Sequence, residues 1–488
     1  MSGQLLIGDV FRAAARGVPQ RVAAALGARQ ITFGELDRVS DQLAHSMVAV
    51  GVGHGDRIVT WSVTHLDLCA LFAAAAKVGA VFAPASGLLS KDEARQLITL
   101  ARPALLAVDP ARRQPGSELA AEFGIPLVVL GEWDLDQATS DFVSPAALDE
   151  RDPHVVFFTS GSTGAPKGVV LSHRTNYLRT HPGSQLEERG PTVCMFPQFH
   201  MGSWTIAMQS WQAQNAVVFV DKADAITLCD AIVRWQATHF NAIPAVWWRI
   251  LDHLTTRHDE PLASLRIADS GTSATPPELL EAIRQALPGT LRRVFYGSTE
   301  GGLVTYLRDE QMDARPGSCG VPQHTSEVRL DAETGELQVR GALLFDGYFD
   351  NPEATAAAFT DDGYFCTGDL AAADADGFLS IIGRANDVIR TGGEGVAPAE
   401  VERVLATHPA VADVAVVGLP DASWGEVVCA VIVAAGDRPP TLDELTAHCN
   451  QHLASFKQPR RLHVVDEIPR TPATNQIQRR LILERLTS

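Results

Sequence analysis

Apolar positions recur at three- and four-residue spacing over residues 33–50, which predicts an amphipathic helix with Thr32 as its N-cap. Residues 57–61 read as a short strand, residues 65–78 as a mostly apolar helix, and residues 81–85 and 104–108 as buried strands. Strands alternating with helices predict parallel sheets. The rhythm continues with strands at 155–159, 217–220 and 294–296. Over residues 326–339 it changes to short strands about a turn at Glu333, Thr334 and Gly335, which predicts a small antiparallel or barrel-like portion. A polar, glycine-bearing stretch at 384–395 then precedes a compact α+β segment, with helices at 398–407 and 441–453 and strands at 411–418 and 426–433. The pattern predicts an α/β chain of two domains. Residues 1–385 form a large, multi-sublobe N-terminal domain with parallel sheets, and residues 386–488 a small α+β domain.

Composition narrows the function. The chain has 488 residues, 46% hydrophobic and 20% charged, which suits large soluble cores and argues against disorder, collagen or coiled coil. A formal net charge of -18 disfavours nucleic acid as a partner, because a sequence-independent binder needs a positive surface. It leaves room for a local basic pocket that takes a small anion. Lysines are scarce: Lys77, Lys91, Lys167, Lys222 and Lys457 make up the whole set. Seven scattered cysteines without a CxxC point to reduced, buried thiols rather than disulfides or zinc. No basic-then-apolar leader is present, and the apolar run at 71–84 is broken by Lys77 and Gly79, so a cytoplasmic protein with no membrane partner is expected.

The most informative segment follows the strand at 155–158. It runs Thr159, Ser160, Gly161, Ser162, Thr163, Gly164, Ala165, Pro166, Lys167, Gly168. Alternating glycines and hydroxyls leave backbone N–H groups free to wrap phosphate oxygens, and Lys167 adds a point charge. The spacing is not that of a Walker loop.

This segment resembles the signature phosphate loop of the adenylate-forming superfamily, which includes acyl-CoA ligases, peptide-synthetase adenylation domains and firefly luciferase. Further matches follow in family order: Tyr296 to Glu300 (YGSTE), Gly335 to Leu337, Gly347 with Tyr348, Thr367 to Asp369 (TGD), Gly383 with Arg384, and Gly392 to Glu394. Pro197 to His200 resembles the PxxH block of the acyl-CoA ligase branch. The resemblance implies acyl-AMP formation from ATP and a carboxylic acid, then transfer of the acyl group to a thiol, usually coenzyme A. Between the half-reactions the C-terminal domain rotates about a hinge at Asn386.

Residue roles follow by resemblance. Thr159, Ser160, Gly161, Ser162, Thr163, Gly164 and Lys167 cradle phosphates, and Tyr296 stacks on adenine within a nucleotide site that includes Gly271, Gly297, Ser298 and Thr299. Thr163 and Glu300 hold Mg²⁺, and Asp369 and Arg384 bind ribose hydroxyls. His200, Gly392, Gly393 and Glu394 line the thiol channel. His200, Trp204 and Gly297 border the acyl pocket, where Trp204, Trp247 and Trp248 suggest a bulky apolar or aromatic acid. His200, Glu300, Lys167, Gly393 and the residue at position 476 carry the chemistry. Histidine at 200, where peptide-synthetase domains carry an aspartate, argues against an α-amino acid. A homodimer is the family-level expectation.

The tail departs from the family. Where the family reads PRTxxGKIxRxxL, aligning on Ile477 and Arg479 puts Asn475 at the glycine and Gln476 at the lysine that contacts the acid carboxylate and the ATP phosphates. Gln476 donates hydrogen bonds but brings no charge to a step in which two anions meet. No lysine follows Lys457, so realignment restores none. Gly395 replaces the usual asparagine, and Asn386 the usual hinge aspartate or lysine. The expected activity is therefore thioesterification of acyl-adenylate supplied by a separate adenylating enzyme. A complete ligase using Arg470 or Arg479 as the cation, and a non-catalytic binder of acyl-adenylate or coenzyme A, stay open.

Overall fold

The computed structural model describes residues 3–133, 141–160, 166–181, 189–256, 262–391, 394–421, 423–450, 452–471 and 475–487. Among these residues four sheets form. In the first, Arg57–Ser62, Val81–Ser86, Leu105–Val108 and Leu127–Val129 run parallel, and Val81–Ser86 also pairs in parallel with Pro153–Ser160. In the second, Thr192–Cys194, Val217–Phe219, His239–Ala242, Ile267–Ser270 and Leu291–Ser298 are parallel. The crossover helices that parallel strands require pack between and around these two sheets.

The helix Leu68–Val78 is buried on every side, which explains its alanine-rich, all-round apolar sequence. Phe72 stacks on Trp204 there with ring centroids 4.4 Å apart. Its one charge, Lys77, is fully buried and satisfied by Asp37 at 2.6 Å and Asp41 at 2.7 Å. The predicted helix at 65–78 starts three residues late, because the His65 N–H is drawn to Gln198 Oε1 and the backbone turns before Leu68. Thr32 caps Phe33–Ala49 through a reciprocal capping box with Glu35, as expected.

The third sheet is antiparallel: Ser326–Leu330, Glu336–Gly341, Phe365–Ala373 and Leu379–Arg384. The fourth joins Val411–Asp421, Gly425–Ala434, Ile389–Thr391, Glu394–Val396 and Arg461–Val464. Along Val411–Asp421 alternate side chains enter two cores, Val414 and Val416 one, Ala415 and Val417 the other. All seven cysteines are unpaired, six of them buried. Among the described residues no helix is long and apolar enough to cross a membrane.

The hairpin of Pro153–Ser160 and Pro166–Ser172 presents the phosphate loop, and its far end rests on two buried imidazoles. His173 Nδ1 accepts from the Ile7 N–H at 3.2 Å, and His154 Nδ1 accepts from the Asn176 amide at 3.1 Å. Burial holds both rings neutral, with the His173 pKa near 4 and that of His154 also lowered. The unfolded chain binds these protons near pH 6.5, so their contribution is complete above that pH and is lost as pH falls towards 4. Stability is expected to drop by about 2–3 kcal/mol for His173 by pH 4.5. Urea midpoints at pH 7.5 and 4.5 measure this. The drop should shrink in His173→Gln, and an equal drop in that variant would sink the assignment.

Candidate functional site

A cleft of about 3920 Å³ gathers the ends of the three sheets that precede residue 385, together with the chain's tail. The phosphate hairpin enters it first. Thr159 pairs with Lys167 across the hairpin, and the Thr159 hydroxyl donates to the Lys167 carbonyl at 3.4 Å. Gly161, Ser162, Thr163 and Gly164 lie outside the described residues, as does the Ser160 side chain. Of the five lysines, Lys167 alone lines the cleft. Its ammonium sits 4.9 Å from the ring centre of Tyr348, which belongs to the short strand Gly347–Tyr348 paired to Val169 and Val170. The Tyr348 hydroxyl donates to Glu300 Oε1 at 3.3 Å. The sheet register thus places a cation, a phenol and a carboxylate in a row.

Glu300 occupies the turn between Leu291–Ser298 and Gly302–Arg308. Position 297 has to be glycine: a Cβ there would stand 2.2 Å from the Gly302 carbonyl oxygen. The Gly301 N–H donates to Ser298 Oγ at 2.8 Å and tightens the turn. Gly271 lies under the Phe295 ring, 2.6 Å from where its Cβ would be, and leads into Thr272, held at φ +71°.

Across the cleft, Asp369 and Arg384 are directly opposed on two antiparallel strands. Asp369 is buried, with one oxygen taken by Arg384 Nε at 2.8 Å and the other by the Tyr296 hydroxyl at 2.6 Å. Burial raises the Asp369 pKa despite Arg384, and burial beside Asp369 raises that of Tyr296. The group offers carboxylate lone pairs and an aromatic face at one spot, which suits a ribose and its base.

His200 caps the helix Met201–Gln212, its Nδ1 accepting from the Gly202 N–H at 3.0 Å. The neutral ring therefore carries its proton on Nε2, and burial lowers its pKa to about 4. It lies parallel to Phe196 with centroids 5.4 Å apart. The expectation for the tryptophans is corrected. Trp204 is buried in the core and donates to the Gln198 carbonyl, Trp247 is buried and donates to the Asp269 carbonyl, and Trp248 is exposed elsewhere. The helix lines the cleft with Met201, Gly202, Thr205, Ile206 and Gln209 instead, and Trp204 is not among the lining residues.

Gln476 lies beside the Arg470–Ile477 bridge, and its carbonyl accepts from the Thr471 N–H. Its amide reaches the Thr272 carbonyl at 3.3 Å, inside the cleft. Asn475 has φ +55°, a conformation asparagine tolerates, which explains how it stands where the family has glycine. Arg470 is engaged by Asp413 at 2.8 Å and by the Asn475 carbonyl. Arg479 is engaged by Asp387 at 3.1 Å and Glu402 at 2.6 Å. Asn386 lies in the single helical turn Ala385–Asp387 at the edge of the cleft. Glu394 is not brought to the cleft: it is exposed on the edge strand Glu394–Val396. Gly392 and Gly393 lie outside the described residues.

Two contributors carry no signal in the sequence reading. Arg179 is one arginine among many, and Tyr348 is a motif residue without an assigned task. Among the described residues no three His, Cys, Asp or Glu side chains converge as a metal cage. Glu300 fits Mg²⁺ in the usual nucleotide-site manner, one hard carboxylate completed by phosphate oxygens.

The profile of the AMP-binding enzyme family matches residues 11–349, and that of the AMP-binding enzyme C-terminal domain matches residues 400–474. A feruloyl-CoA synthase from Amycolatopsis sp is 32% identical over 472 residues, 94% of each chain. Among solved structures, ATP-bound MatB from Rhodopseudomonas palustris superimposes with a TM-score of 0.87 at 26% identity over 99% of both chains. The o-succinylbenzoate CoA synthetase MenE from Bacillus subtilis, in complex with its acyl-adenylate intermediate, gives 0.86 at 26% identity over 97% of both.

Proposed function

We propose that this chain, which belongs to the AMP-binding enzyme family in its acyl-CoA ligase branch, works mainly in the second half-reaction. It converts a preformed acyl-adenylate and coenzyme A to the acyl thioester and AMP. The observation that carries this is Gln476, a neutral amide at the Thr272 carbonyl where the family places a lysine. Arg470 and Arg479, the two arginines that could stand in as the cation, are committed to carboxylates and backbone carbonyls.

The mechanism follows from the residues. Tyr296, Asp369 and Arg384 bind the adenosine of the acyl-adenylate, and Lys167 with the phosphate loop takes its phosphate. Residues 386–488 rotate about Asn386, which withdraws Gln476 and brings the 392–394 face to the cleft. The glycines there let a pantetheine arm approach closely. The thiol sulfur attacks the acyl carbonyl carbon. A C–S bond forms, the acyl–phosphate C–O bond breaks, AMP leaves with that electron pair, and the thiol proton passes to solvent. The neutral His200 lines this path with its Nε2 proton as a donor. Glu300 and Thr163 would hold Mg²⁺, which would neutralise ATP phosphate charge in the first half-reaction. In that half-reaction a carboxylate meets the α-phosphate, and removing one preorganised electrostatic contact typically costs ~10²–10³ in rate.

The test runs two regimes with a panel of acids that includes ferulic and o-succinylbenzoic acid. One supplies ATP, Mg²⁺ and coenzyme A; the other supplies preformed acyl-adenylates and coenzyme A. Thioester is expected at least ~10²-fold faster in the second. Equal rates would make the chain a complete ligase, and binding without thioester in either would make it a non-catalytic relative.

A further inference from the structure

The carboxylate of Glu300 is useful only if its turn is held in register with the phosphate loop, and one side chain spans the two. Arg179 lies on the helix His173–Thr180, directly after the strand that leaves the phosphate loop. Its guanidinium donates to three carbonyls: Nη1 to Thr299 at 2.7 Å, Nη2 to Glu300 at 2.6 Å, and Nε to Leu343 at 2.7 Å. The Glu300 carbonyl also accepts from the Phe345 N–H at 2.8 Å. The seat is shaped for this group. A Cβ on Gly302, at φ +66°, would stand 3.1 Å from Arg179 Nε and 2.9 Å from the Leu343 carbonyl oxygen. With the Thr299 and Glu300 carbonyls both drawn to the guanidinium, the Glu300 carboxylate remains in the cleft, where Tyr348 donates to it.

We propose that Arg179 is a positioning residue that fixes the Glu300 carboxylate against the phosphate loop and so sets how strongly Mg²⁺ tightens nucleotide binding. The proposal rests on the nucleotide-site reading of Glu300 given above. Three separate nitrogens of the planar fork each meet one carbonyl, an arrangement that an ammonium, with its three donors on a single nitrogen, does not reproduce. Arg179 touches no reacting atom. It acts through the backbone of residues 299 and 300, and a second partner, Tyr348, acts on the carboxylate itself.

The experiment measures ATP binding by calorimetry, once with Mg²⁺ and once with EDTA, for the wild type, Arg179→Lys, Arg179→Met and Glu300→Gln, with a thermal melt for each. The readout is the Mg²⁺-linked gain in ATP affinity. Groups that orient a metal ligand typically change metal affinity 10–100-fold, so Arg179→Lys should reduce the gain by roughly 10-fold and Arg179→Met should abolish it. ATP affinity in EDTA should stay within about 2-fold of wild type, because the phosphate loop and Tyr296 bind without the metal. In a Glu300→Gln background, Arg179→Lys should remove nothing further. Should Arg179→Met fail to fold, Arg179→Lys decides. An undiminished gain in Arg179→Lys, or an equal fall with and without Mg²⁺, overturns the proposal. A wild type with no Mg²⁺-linked gain, or a Glu300→Gln variant that keeps the full gain, identifies instead a failure of the Glu300 reading and takes the proposal with it.

Discussion

Gln476→Lys is expected to accelerate acyl-adenylate formation by about 10²–10³-fold, measured as exchange of labelled pyrophosphate into ATP with a cognate acid. The geometry is ready for it. Residue 476 is exposed, and the nearby Arg470–Ile477 bridge, Thr471 contacts and Arg470–Asp413 ion pair do not depend on the side chain at 476. Asn475, at the position where the family has glycine, already takes φ +55°. A lysine would start from the same backbone and reach the Thr272 carbonyl and the phosphate region beyond it. A unit charge about 4 Å from developing negative charge is worth about 4 kcal/mol at an effective dielectric of 20, enough for the predicted range. Thioester formation from preformed acyl-adenylate should change by less than about 3-fold, because the proposed rotation withdraws Gln476 from the cleft in that half-reaction. An unchanged exchange rate in Gln476→Lys would mean that adenylation is limited elsewhere, and the functional reading would fall with it.

Much of the fold was legible because each sheet leaves its own mark. Strands buried on both faces appear as short apolar runs, and the 411–418 and 426–433 runs became the two longest partners of the last sheet. The segment at 159–168 drew a phosphate-loop reading because a chain of glycines and hydroxyls after a strand has few other uses, and Thr159 and Lys167 at its ends line the cleft. What escaped needed the third dimension. The sequence separates Arg179 from Glu300 by 121 residues, and only the packing of a helix against a turn joins them. Tyr348 acquires its place through pairing with the phosphate hairpin, a register that local pattern does not encode. The tryptophans misled for a related reason. An aromatic on a helix beside a site is as often on the core face, and Trp204 is buried there against Phe72.

The opposite wall of the cleft supports the second large effect. Asp369→Ala is expected to weaken binding of a non-hydrolysable acyl-adenylate analogue by roughly 10²-fold or more. Hydrogen bonds to a charged group contribute about 1.5–3 kcal/mol each, and a ribose diol offers two. The loss is compounded because the Tyr296 hydroxyl and Arg384 both bond this carboxylate, so its removal unties the ring and the guanidinium together. Asp369→Asn keeps one acceptor oxygen and should lose only about 10-fold. The pH dependence separates the carboxylate from mere packing. Burial raises the Asp369 pKa, so the charged form that accepts from the ribose is complete at neutral pH and is lost as pH falls through that raised value, at a higher pH than for an ordinary aspartate. Wild-type affinity should therefore weaken towards acid over a range in which Asp369→Asn stays flat. Calorimetric titration from pH 7.5 down to the limit of stability set by His154 and His173 measures both. Binding within about 3-fold of wild type in Asp369→Ala would remove this residue from the nucleotide site and leave Tyr296 as the principal contact on that wall.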